Sequence, residues 1–117
     1  MTVRIYHNPR CSKSRQTMAL LEQRNITPAV IEYLKTPPSK SELKQILKLL
    51  NLKARDLLRK KEAQYSELGL DNPDLQEDQI LDMMIKHPKL IERPIVVSSK
   101  GAAIGRPPEN VLEILGD

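Results

Sequence analysis

Two short β-branched runs, VRIYH (3–7) and AVIEYL (29–34), flank a stretch without proline or glycine from Ser12 to Arg24, whose second half carries Met18, Ala19, Leu20 and Leu21. Strand, helix and strand in so few residues predict a βαβ unit. Asn8-Pro9 ends the first strand in a turn and Pro28 leads into the second. In TPPSKSELKQILKLL, Ser39 and Glu42 stand at capping-box spacing, and Leu43, Ile46, Leu47 and Leu50 follow at i, i+3, i+4 and i+7, the apolar stripe of a helix. ARDLLRKK (54–61) predicts a short helix, and EDQILDMMIK (77–86) another that stops before His87-Pro88. PIVVS (94–98) and AAI (102–104), joined through Lys100-Gly101, predict a hairpin. PPENVLEILG (107–116) predicts a last helix, with proline in its first turn and Gly116 placed to cap its end.

The order βαβ, helical block, ββα is the outline of an α/β, thioredoxin-like mixed sheet with a helical subdomain, at about residues 39–87, inserted between its halves. A chain of 117 residues is expected to be a single domain over 1–117, without repeats or linkers. Hydrophobic residues at 39% and charged residues at 29% exclude a largely disordered or membrane-embedded chain. The start MTVRIYHN lacks a signal core and no run approaches the roughly 18 apolar residues of a membrane span, so a cytoplasmic protein is expected. A net charge of +4 suits an anionic partner, yet Phe and Trp are absent and only three Tyr could stack on bases. Small anions are favoured over nucleic acid. No metal site, bound cofactor or membrane partner is expected, and the chain is expected to be a monomer.

HNPRCSKSR (7–15) places the only cysteine directly after the first predicted strand, where the next helix begins. One cysteine cannot form an intramolecular disulfide, so this thiol is inert, catalytic or joined transiently to another molecule. An isolated cysteine is as a rule a small buried hydrophobe, but PRCSKS is too polar for a core. At a helix start the unpaired amides and the positive end of the dipole favour thiolate, and neighbouring cations lower the pKa further. Arg10, Lys13, Arg15 and His7 are the candidates, although a lone histidine commonly just satisfies a hydrogen bond. The same amides would hold an oxyanion. Three arginines add to the case: Arg59 in DLLRKK, Arg93 before the proline of ERPIVV, and Arg106 before the paired prolines of IGRPPE. The last two stand where the chain enters and leaves the predicted hairpin, and a guanidinium suits bidentate contact to an oxyanion.

Five stretches, HNP.C..SR at 7–15, YL with PP at 33–38, LLRK at 57–60, HP.LI.RPIVV at 87–97 and RP.E.VL.IL at 106–115, resemble the glutaredoxin-coupled arsenate reductase (ArsC) family along essentially the whole chain. The resemblance implies that Cys11 attacks arsenate and releases water, that glutathione displaces a second oxygen, and that glutaredoxin reduces the adduct to arsenite. Carried over by position, Cys11 is the nucleophile and His7 and Ser14 help to lower its pKa. Arg59, Arg93 and Arg106 would hold arsenate and its adducts, and Pro94 matches the cis proline of thioredoxin-like folds. Reduction by two electrons needs two sulfurs, and a chain with one cysteine must take the second from an external thiol. The phosphatase-like class of arsenate reductase uses a C-x5-R loop and is excluded, because the sixth position after Cys11 is Thr17. The chain departs from the family beside the nucleophile, where RCSK replaces a small, nearly neutral ACGT. Two further readings follow: a related thiol-dependent enzyme acting on another anion, or a thioredoxin-fold regulator binding RNA polymerase. Such regulators carry a C-x-x-C switch, whereas this chain has Cys11-Ser12-Lys13-Ser14.

Overall fold

In the computed structural model, which describes residues 2–115, the elements are β1 (Arg4–Tyr6), α1 (Ser12–Gln23), β2 (Ala29–Ile31), α2 (Lys40–Leu50), α3 (Ala63–Glu67), α4 (Glu77–Lys86), β3 (Ile95–Ser98) and β4 (Gly101–Ile104). Short 3-10 segments cover Ala54–Leu57, Pro88–Leu90 and Pro108–Ile114. The chain divides into two compact units, one made of the residues up to Thr36 and from Arg93 onward, the other of Pro37–Glu92.

The first unit is built on a four-stranded sheet in the order β2-β1-β3-β4. β1 pairs in parallel with β2, the crossover being α1, and antiparallel with β3, which forms a hairpin with β4. This is the mixed α/β sheet that the βαβ and ββα halves predict. Val3 and Ile5 alternate with Arg4 and Tyr6 along the strand, and Ile5 pairs with Val96, so one face presents a continuous apolar patch. Leu21 of α1 and Val111, Ile114 and Leu115 near the C-terminus close over it. Burial of these side chains is what fixes α1, and hence the residue at its N-terminus, to the end of β1. The Arg93–Pro94 peptide bond is cis, as the resemblance implies, and so is Arg106–Pro107.

In the second unit the capping box of α2 is formed as its spacing predicts: Glu42 N–H donates to Ser39 Oγ at 3.1 Å and Ser39 N–H to the Glu42 carboxylate at 3.5 Å. Leu43, Ile46 and Leu47 are buried on α2, and Ile80, Leu81 and Met84 on α4, against which it packs.

Three expected elements come out differently, and one helix was not expected. β2 stops at Ile31 instead of reaching residue 34, because the Glu32 carbonyl accepts from the amides of Lys35 and Thr36 and turns the chain. The helix expected over 54–61 is only the 3-10 turn Ala54–Leu57. Leu58 bridges to Ile91, with Arg59 N–H donating to Leu90 O at 2.7 Å and Glu92 N–H to Leu57 O at 2.9 Å, so the backbone is extended there. α3 carries no buried residue and no apolar period announced it. The C-terminal segment winds as a 3-10 helix, with Asn110 N–H bonded to Pro107 O at 3.0 Å, and the expected cap at Gly116 lies outside the described residues.

Candidate active site

The loop from β1 to α1 is a turn written in its side chains. His7 N–H continues the sheet ladder by donating to Ile31 O at 2.8 Å. Asn8 then takes the first position of a β-turn with Pro9 second: its carbonyl accepts from Cys11 N–H at 3.0 Å, and its Oδ1 accepts from Arg10 N–H at 3.0 Å. Cys11 thereby becomes the N-cap of α1, with an extended backbone and its carbonyl accepting the first helical bond from Arg15 N–H at 3.0 Å. The residue type best suited to that position would be Ser, Thr, Asp or Asn. A cysteine there puts a sulfur where an oxygen normally meets the free amides.

Cys11 is 8% exposed. Burial pushes its thiol up, but the amides of Ser14 and Lys13, the Ser14 hydroxyl and the charge of Arg106 outweigh it, so the thiol lies below its ordinary range. Ser14 is fully buried, and its Oγ accepts from Asn8 N–H at 3.3 Å, which leaves the hydroxyl proton for the sulfur. Arg106 Nη1 stands 4.0 Å from Cys11 Sγ and also donates to the Arg93 carbonyl at 3.3 Å, which ties Arg106 to Arg93 across the two ends of the hairpin. Thus Cys11, Ser14 and Arg106 gather in one place, and Arg93 joins them through its backbone carbonyl.

The other sequence candidates behave differently. Burial lowers the His7 pKa, Glu32 opposing and Arg15 adding to the effect, which disfavours a cation at His7. Its Nδ1 is buried and meets no hydrogen-bond partner among the described residues. Arg15 donates from its side chain to Pro9 O at 3.0 Å, bracing the turn. Lys13 contributes its amide. Arg59 belongs to the helical unit, where it is held by Glu62 at 2.7 Å and Glu92 at 3.6 Å. Those two carboxylates were not singled out by the sequence, which read Asn8 with Pro9 as a turn but did not name it as part of the site. Among the described residues no three His, Cys, Asp or Glu side chains gather as a metal site would need, and no helix is long and apolar enough to cross a membrane.

Residues 6–114 match the ArsC family. Arsenate reductase from Neisseria meningitidis serogroup B is 52% identical over 114 residues, covering 97% of each chain. Uncharacterized protein YfgD of Escherichia coli K12 is 51% identical over 115 residues, again with 97% of each chain covered. Among solved structures, arsenate reductase from Vibrio cholerae superposes with a TM-score of 0.95 at 55% identity, over 98% of both chains.

Proposed function

The chain belongs to the ArsC family, and on that premise we propose that it is an arsenate reductase that uses Cys11 as nucleophile and takes its electrons from glutathione and glutaredoxin. The observation that carries the reading is the capping cysteine itself: a sulfur biased toward thiolate by two amides and a hydroxyl, with the Arg106 guanidinium 4.0 Å away. An arsenate at this helix end would meet the same amides and Arg106, its oxygens matched by a planar cation and its arsenic within reach of the sulfur. Attack forms an S–As bond as one arsenate oxygen leaves as water, taking its protons from the medium. Glutathione displaces a second oxygen in the same way. The glutaredoxin thiolate then attacks the glutathione sulfur; a mixed disulfide forms, and the electron pair of the broken S–As bond stays on arsenic, now As(III). Water releases arsenite and returns the Cys11 thiolate. Two thiols are oxidised to one disulfide as one arsenic atom gains two electrons. The dependence on the cell's glutathione pool accords with a cytoplasmic protein.

The test is a coupled assay with glutathione, glutaredoxin, glutathione reductase and NADPH. Arsenate should start NADPH oxidation, and leaving out glutaredoxin or glutathione should stop it. A rate equal to the arsenate-free blank would overturn the substrate. A full rate without glutaredoxin would overturn the electron route alone.

A further inference from the structure

Thr17 occupies the position where a C-x5-R loop would carry its anion-binding arginine. Here it is a fully buried polar side chain. Its Oγ1 donates to Lys13 O at 2.8 Å, within the first turns of α1, so its own hydrogen bond does not explain why the surrounding chain is drawn so close to it. What lies against it is Gly105. A Cβ placed on Gly105 would stand 2.5 Å from Thr17 Oγ1 and 2.9 Å from Pro94 Cγ, closer than real Cβ atoms approach, and a tight 3.3 Å from Thr17 Cγ2. Gly105 N–H donates to Pro94 O at 2.9 Å, and the next residue is Arg106, whose Nη1 reaches both Arg93 O and Cys11 Sγ.

We infer that Gly105 is a positioning residue: its missing Cβ lets the backbone that carries Arg106 seat directly on Thr17 of α1, and this contact sets the guanidinium on the Cys11 sulfur. The chain thereby delivers from 95 residues away the arginine that a C-x5-R loop carries six residues after its cysteine. The catalytic meaning of this contact rests on the arsenate reading, but the contact is tested on the thiol alone. A side chain at 105 must lift this backbone from α1 or push Thr17 and the helix start aside; either movement separates Arg106 from Cys11, and displacements of about 1 Å in such sites cost on the order of 100-fold in turnover.

The experiment is the pH dependence of Cys11 alkylation by iodoacetamide in anion-free buffer, for wild type, Gly105→Ala, Arg106→Ala and the double variant. Gly105→Ala should move the midpoint upward, toward that of Arg106→Ala, and should have no further effect once Arg106 is gone. An unchanged midpoint in folded Gly105→Ala, or a shift that adds in full to that of Arg106→Ala, would overturn the inference. Should alanine at 105 prevent folding, Thr17→Ser carries the test. It keeps the hydroxyl and removes Cγ2, and it should raise the midpoint only when Arg106 is present; no shift there would refute the seat. Inactivity toward arsenate with these shifts intact would count against the substrate and not against Gly105.

Discussion

The Cys11 sulfur is surrounded by two amides, a hydroxyl and a guanidinium, and the side-chain members of this set can be removed one at a time. Ser14→Ala deletes the hydroxyl and leaves the amide, so the alkylation midpoint should rise by only part of the total effect. Cys11→Ser should abolish turnover, since no other thiol can start the reaction; residual arsenate-dependent activity would exclude the nucleophile. Arg106→Ala and Arg93→Ala should each lower kcat/KM by about 30- to 1000-fold, or roughly 2–4 kcal/mol of transition-state stabilisation. Arg24→Ala, at the far end of α1, should be nearly silent; equal kcat/KM in these three variants would deny any oxyanion clamp. Arg59→Ala differs in kind, because it removes the ion pairs to Glu62 and Glu92 inside the helical unit. It should therefore lower stability as well as turnover. The cysteine was legible in the sequence because the helix start that carries it is local, and Ser14 came only with the family resemblance. Arg106 was named there as an oxyanion ligand, but its place beside the sulfur was not legible, because it is 95 residues away and a charge count beside Cys11 pointed instead to Arg10, Lys13 and Arg15. That count also allowed a protonated His7, a form that burial disfavours.

At the scale of elements, what could be read was what is encoded within one turn or one apolar period. The α2 start was carried by Ser39 and Glu42, and both capping bonds are made. Ser39→Ala should lower stability by about 1 kcal/mol, read as a lower urea midpoint with an unchanged slope. A shift as small as that of Ser41→Ala, on the same helix, would mean that the box adds nothing. The Ala54–Leu57 and Pro108–Ile114 segments were mistaken for α-helices because their composition is helical while tertiary pairing decides their form. The Leu58–Ile91 bridge draws the first into extended backbone. In the second, prolines at 107 and 108 remove two amides from its start. α3 buries nothing, so no hydrophobic period could disclose it. The Asn8-Pro9 turn was foreseen, and its two bonds are what turn a strand end into a capping cysteine.

For the whole molecule, the βαβ and ββα halves gave the sheet because each half is continuous in sequence, and the helical unit followed as what remained between them. The tuned groups also make stability depend on pH. The folded Cys11 and His7 pKa values are both depressed, so the unfolded chain binds more protons. The Cys11 contribution is complete above the unfolded thiol value of about 8.5 and is lost as pH falls through the folded value; that of His7 is complete above about 6.5 and is lost likewise. Urea midpoints should therefore fall from pH 9 toward pH 5, and Cys11→Ser should flatten the alkaline part of that slope only. An identical slope in the variant would show that the thiol is not shifted. All of this depends on one claim, that the start of α1 and Arg106 together make Cys11 a thiolate inside an oxyanion site. The most direct measurement is the alkylation of wild-type Cys11 against pH in buffer free of phosphate and sulfate, repeated with arsenate near the midpoint. The midpoint should lie below about 8.5, and arsenate, which competes for the same cation and covers the sulfur, should slow alkylation. A midpoint at or above that value, with a rate indifferent to arsenate, would contradict the claim.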